Sequence, residues 1–177
     1  MFEETLRFWF EEIDPKMWWE SNPTFDALIQ QRFQALLQRA ARGELYGWRT
    51  EPRGRLAEVI VLDQFSRNIY RNTPLAYAQD PMALVLAQEA IALGHHLVLS
   101  QVEISFLLLP YMHSESEEIH VIADRLYKEH APGNYEFEVR HREIIDRFSR
   151  YPHRNQTLGR ISSAEEVAFL KQPGSSF

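Results

Sequence analysis

The sequence predicts an all-α protein of about seven or eight helices, stacked as antiparallel hairpins. Three observations carry that expectation. Apolar residues recur at helical spacing in segment after segment, residues that start and stop helices bracket those segments, and no stretch alternates with period two between turn signals. With 177 residues, 45% of them hydrophobic, the chain is expected to form a single all-helical domain over residues 1–177, burying roughly 70% of the surface its unfolded form exposes. Connections of about 4 to 10 residues favour antiparallel neighbours.

Each element has its own signal. Phe2, Leu6, Trp9, Phe10 and Ile13 share one helical face, and Asp14-Pro15 ends that helix because the residue before Pro is pushed away from the α region. "PTFDALIQQRFQALLQRAARG" carries Phe25, Leu28, Ile29, Phe33, Leu36, Leu37 and Ala40 on one face, with Gly43 as C-terminal cap. "RGRLAEVIVLDQFSRNIYR" is a third helix, roughly residues 53 to 70. Asp80 reads as an N-cap before Pro81, and Gly94 closes that helix. Ser100 and Glu103 form a capping box for "QVEISFLLL", which Pro110 interrupts. Ile119, Ile122, Leu126 and His130 mark a sixth stripe, and Phe137, His141, Ile145 and Phe148 a seventh. Ser163 and Glu166 cap a short eighth. Phe25, Phe33, Leu36, Ile60, Phe65, Leu107, Ile122, Leu126, Ile145 and Phe148 are the expected core.

Composition bounds the function classes. The formal charge of -6 and a pI of about 5.7 argue against a general nucleic-acid binder, which needs a large Lys and Arg surplus. The absence of cysteine excludes disulfide frameworks, thiolate nucleophiles and Cys-ligated zinc. The opening "MFEETLRFWFEEID" lacks a basic leader and reads as an amphipathic helix, and no apolar run approaches the roughly 20 residues of a membrane span. A cytoplasmic location, no membrane association and no cofactor are expected. No metal site is assigned, since no tight His/Glu spacing such as H-E-x-x-H appears; a homo-oligomer is compatible with the sequence.

Polar residues interrupt the apolar pattern at four places. In the third helix, apolar side chains point in nearly every direction, which marks a helix covered on several sides. At 100° per residue, Asp63 and Arg67 lie about 60° and 20° to one side of Ile60 and Arg71 about 20° to the other, so the three share a strip. They read either as an i,i+4 ion pair on a solvated face or as two guanidinium donors in a cavity wall, oriented by Asp63. After Pro110, "MHSE" presents His113, Ser114 and Glu115: helix-cap and surface residues, or His113 and Glu115 turned into a cleft as a base and its partner or as two ligands of a metal. His141 lies amid Phe137, Ile144, Ile145 and Phe148, where a buried imidazole requires a hydrogen-bond partner.

The fourth place is "RYPHRNQTLGR", residues 150–160. Residues 140–160 contain six Arg against Glu143 and Asp146, a local positive excess in an acidic chain. Pro152 ends a helix, Gly159 permits a left-handed turn, and His153, Arg154 and Asn155 are presented between them, with Arg160 following. These donors either bind an anion or tie the loop to helix ends and nearby acids.

"FWF" at 8–10, "VLDQFSRNIYR" at 61–71, "LPYMHSE" at 109–115, "RHREIIDRFSRYPHRNQTLGR" at 140–160 and the terminal "FLKQPGSSF" together span almost the whole chain. On these motifs the sequence resembles a bacterial family of unknown function whose members have a tetratricopeptide-like all-helical fold. The resemblance implies that Asp63, Gln64, Arg67, Asn68 and Arg71, the triplet His113, Ser114 and Glu115, the pair His141 and Glu143, and Pro152, His153, Arg154, Asn155, Gly159 and Arg160 belong to a shared signature. It implies a binding scaffold and no particular activity.

Two functions follow as expectations. The first is a cleft in which Asp63, Arg67, Arg71, His153, Arg154, Asn155 and Arg160 hold a small carboxylate- or phosphate-bearing ligand or a peptide terminus. The alternative is a hydrolase or transferase acting on an anionic substrate in the same cleft, with His113 or His141 as general base and Glu115 as its orienting group. A polar network that only fixes helix stacking is the third reading.

Overall fold

Among the described residues there are eight helices, joined by short 3-10 turns, and no strand. The computed structural model describes residues 2–176; Met1 and Phe177, the ends of the opening helix stretch and of the terminal motif, lie outside them. Helix α1 spans 2–12, its last five residues wound as a π turn. Helix α2 is Pro23–Ala41. Helix α3 spans 52–69 and is interrupted by a π turn at Val61–Phe65. Then follow α4 (Asp80–Ala92), α5 (Gln101–Met112), α6 (Glu117–His130), α7 (Tyr135–Phe148) and α8 (Ala164–Phe169).

The boundaries have local causes. Asn22 Oδ1 accepts the backbone N–H groups of Thr24 and Phe25 at 3.0 and 3.1 Å, opening α2, and Gly43 adopts φ 73° just past its end. The capping boxes at Ser100 with Glu103 and at Ser163 with Glu166 are both formed. Two expectations are corrected. Asp80 is the first residue of α4 and caps nothing with its side chain, the N-cap being Gln79. Pro110 does not stop α5, because losing one N–H leaves the next rung intact: His113 N–H bonds to the Leu109 carbonyl at 2.9 Å.

Helix α3 is the axis of the fold, touching α1, α2, α4 and α5. Every residue from Gly54 to Ser66 is buried. Gly54 is required there: a Cβ at this position would lie 2.2 Å from the Trp48 carbonyl oxygen. Around α3 the aromatic rings interlock, Phe65 meeting Phe33 at 4.8 Å and Trp9 at 5.6 Å between centroids, in the tilted and edge-on arrangements aromatic pairs favour. The apolar cluster runs from Leu6 to Ala131, and a smaller one gathers Ile144, Ile145 and Tyr151 with Phe148 and Phe169. Leu36, Ile122 and Phe148, expected in the core, are half-buried, and Phe137 is 53% exposed. No described helix is long and apolar enough to cross a membrane.

Candidate functional site

The start of α4, the end of α5 with the chain after it, and the loop after α7 meet at a cleft of about 370 Å³, whose wall includes Asp80, His113, Ser114, Glu115 and Arg154; the π turn of α3 adjoins it through Asp63, 2.8 Å from His113 Nδ1. A separate depression of about 510 Å³ on α2, lined by Ala27, Ala35 and four glutamines, holds no ionisable group.

Asp63 stands on the π turn, one extra residue per turn that π geometry inserts and that recurs at functional sites. Its side chain is 1% exposed. Oδ2 accepts from Gln64 Nε2 at 2.6 Å, and Oδ1 faces His113 Nδ1 at 2.8 Å and Arg67 Nη1 at 3.1 Å. Burial pushes the carboxyl upward, but Arg67 and His113 outweigh it and hold Asp63 well below the carboxylate range. An ionised Asp63 only accepts, so His113 donates from Nδ1 and its Nε2 carries the lone pair. Burial, then Arg67, keeps His113 below the ordinary histidine value; it is neutral near pH 7.

Asp80 enters from α4. Arg67 holds it through a fork, Nη1 to Oδ1 at 2.9 Å and Nη2 to Oδ2 at 3.0 Å, a geometry only guanidinium provides. Glu115 is held the same way by Arg160 at 2.6 and 2.9 Å, and also accepts the Tyr151 N–H at 2.8 Å. Burial raises Glu115, and these contacts reverse it, leaving the carboxyl lowered.

Arg154 differs from both. Its side chain is 7% exposed, and its guanidinium lies 4.7 Å from the Tyr77 ring centroid and 4.6 Å from that of Tyr151. Nη2 donates to the His113 carbonyl at 3.0 Å, but Nη1 reaches Asp80 only at 3.4 Å, and Nε finds no hydrogen-bond partner among the described residues. Desolvation, then Arg67, lowers its pKa. The aromatic faces stabilise it by cation–π attraction, yet its charge is the least compensated in the cluster.

The structure thus brings Asp63, Arg67, His113, Glu115, Arg154 and Arg160 into one network, and sets others apart. Arg71 lies past the end of α3, so helical extrapolation does not apply to it; it forks onto Asp26 of α2 at 2.6 and 2.8 Å. Asn155 is buried and donates to Ser162 Oγ at 3.0 Å. His141 is 5% exposed, its Nδ1 2.7 Å from the Phe137 carbonyl and its ring 6.4 Å from His113. His153 packs 5.6 Å from the Tyr151 ring. The group that orients His113 is Asp63; Glu115, expected in that role, is occupied by Arg160 and Tyr151. The positive excess of residues 140–160 is met by acids brought from elsewhere, including Glu165, Glu166 and Glu115.

Sequence reasoning missed Asp80, Tyr77, Tyr151 and a buried pair beneath the cleft, His120 Nδ1 and Glu138 Oε1 at 2.7 Å, with His120 Nε2 2.9 Å from the Ser114 carbonyl. An acid beside Pro81 with no apolar role was the one available signal for Asp80. Among the described residues no three His, Asp or Glu side chains are placed to hold a metal ion.

Comparison with known proteins gives the same picture of kinship without chemistry. Residues 5–174 match a family described as bacterial protein of unknown function (DUF924). A solved structure of a protein of unknown function, ATU0120 from Agrobacterium tumefaciens, superposes with a TM-score of 0.91 at 35% identity, covering 96% of each chain. No curated protein matches the chain.

Proposed function

Because the chain belongs to the DUF924 family of bacterial proteins of unknown function, kinship supplies no activity, and we propose from the site's geometry that it binds a small carboxylate- or phosphate-bearing ligand in the cleft, against Arg154. One observation supports this above the others. Arg67 and Arg160 each have a carboxylate forked at hydrogen-bond distance, whereas Arg154 has a single 3.4 Å contact to a carboxylate already taken. A buried guanidinium without a full counter-charge is costly in the empty protein. An anion entering the cleft beside it restores that balance, and does so where low dielectric strengthens the attraction. Calorimetric titration with inorganic phosphate and with acetate, at fixed ionic strength, tests the reading. Saturable binding of either supports it; heats indistinguishable from those of sodium chloride count against it.

The 2.8 Å contact between Asp63 and His113 favours a second reading, a hydrolase or transferase in which neutral His113 accepts a proton at Nε2 and Asp63 holds the ring. Turnover of p-nitrophenyl phosphate or p-nitrophenyl acetate that is lost in folded His113→Gln and Asp63→Asn variants supports it. Turnover that survives both rules His113 out as the base.

A further inference from the structure

The cleft presents more than a cation. Asp80, Glu115, His113 and Ser114 line it beside Arg154, and most of the remaining wall is apolar, with Leu84, Leu158 and the Tyr77 ring. A bare anion uses only Arg154. It also lies next to two carboxylates: Glu115, whose pKa Arg160, Tyr151 N–H and Arg154 lower against its burial, and Asp80, forked by Arg67. Neither oxygen pair is exhausted by those contacts, since a carboxylate offers about four lone-pair sites. His113 adds a third acceptor, the Nε2 lone pair left when Nδ1 donates to Asp63. The cleft therefore sets a guanidinium for an anion beside acceptors on Asp80, Glu115 and His113 for a donor.

From this complement we propose that the ligand class is a small zwitterion, an α-amino acid with an apolar side chain. Its carboxylate lies against Arg154, its ammonium toward Asp80, Glu115 and His113 Nε2, and its side chain on the Leu84 and Leu158 wall. The inference rests on the anion-binding reading and narrows it: the same carboxylates that weaken the hold on a simple anion strengthen it for one that carries an ammonium beside it. The volume of about 370 Å³ falls in the range of small-molecule sites.

Calorimetric titration of the full chain at pH 7 and fixed ionic strength decides it. The probes are L-alanine, L-leucine and L-phenylalanine, their des-amino acids, their decarboxylated amines, and inorganic phosphate. At least one amino acid is expected to bind tenfold or more tightly than both its des-amino and its decarboxylated analogues. Asp80→Asn, if it folds, is expected to shrink that preference; the wild-type series stands whether or not it does. Des-amino acids binding as well as the amino acids overturn the zwitterion and leave the anion reading intact, as does binding of phosphate with no response to any amino acid. No binding of any probe overturns both.

Discussion

Arg154 reaches the Asp80 carboxylate only at 3.4 Å, while Arg67 forks the same group at 2.9 and 3.0 Å. One carboxylate thus serves two guanidinium groups unequally, and the weaker partner is the more deeply buried, with side-chain exposures of 7% for Arg154 and 19% for Arg67. Both cations lie near the Tyr77 ring, at 4.7 and 5.7 Å. That imbalance sets Arg154 apart from Arg67 and Arg160, each of which has a forked carboxylate.

The first expectation contrasts two ion pairs. Asp63 is buried and partners Gln64, Arg67 and His113; Asp63→Ala leaves Arg67 its fork to Asp80 but takes the acceptor from Gln64 Nε2 and His113 Nδ1, and is expected to cost about 1–3 kcal/mol for each stranded donor. Arg71, 34% exposed and paired with Asp26, is worth about 1 kcal/mol or less to stability when truncated. Urea denaturation of both variants checks the ordering; equal losses contradict it.

Gly54→Ala tests the tightness of α3. Alanine favours a helix interior by about 0.8–1.0 kcal/mol over glycine, yet here its Cβ would meet the Trp48 carbonyl oxygen at 2.2 Å and the Trp48 carbonyl carbon at 3.0 Å. Backbone must move, and overpacking of this kind costs about 1–3 kcal/mol. A variant as stable as the parent in urea contradicts the contact.

Stability is expected to fall as pH drops below about 6.5, the free-histidine value. Burial holds His141 at about 3, and burial together with Arg154 holds His153 at about 3. The unfolded chain takes up these protons first, so the stability is fully present above about 6.5 and declines as pH falls toward 3. Asp63 and Glu115, lowered in the folded protein, extend the loss below about pH 4 by the opposite route: their ionised forms are the ones the fold favours. Urea midpoints from pH 8 to 5 read the histidine part. His141→Asn keeps a donor for the Phe137 carbonyl and removes one titration, so its curve is expected to be shallower. A flat parent curve contradicts the assignment.

Helices were legible because their signals are local: apolar spacing in α2, and the Ser100 and Ser163 capping boxes, need no knowledge of distant chain. The site was legible only as residue types. His113, Arg154 and Arg160 stand out as polar residues next to apolar runs, but their partners Asp63, Asp80 and Glu115 lie 50, 74 and 45 residues away. Asp80 was misread as a cap because an Asp before Pro fits that role locally. Arg71 leaves the strip that a continuous α-helix would give it, because the π turn at Val61–Phe65 and the helix end at Ile69 break the register of about 100° per residue. Phe137 fits the α7 stripe yet faces out, since periodicity locates a face and not the neighbour that covers it.

The central claim, that Arg154 serves a ligand more than the scaffold, is tested most directly by the thermal unfolding midpoint of Arg154→Met with and without inorganic phosphate at constant ionic strength. Methionine keeps the packing between Tyr77 and Tyr151 and removes a buried charge whose one carboxylate contact, Asp80, retains its fork to Arg67, so no buried counter-charge is left unpaired. A ligand that binds only the folded state raises the midpoint by mass action. The account predicts a variant at least as stable as the parent, with phosphate raising the parent's midpoint and leaving the variant's unchanged. A variant that loses about 3–5 kcal/mol, together with a parent that phosphate does not stabilise, would contradict it and assign Arg154 to the structural network.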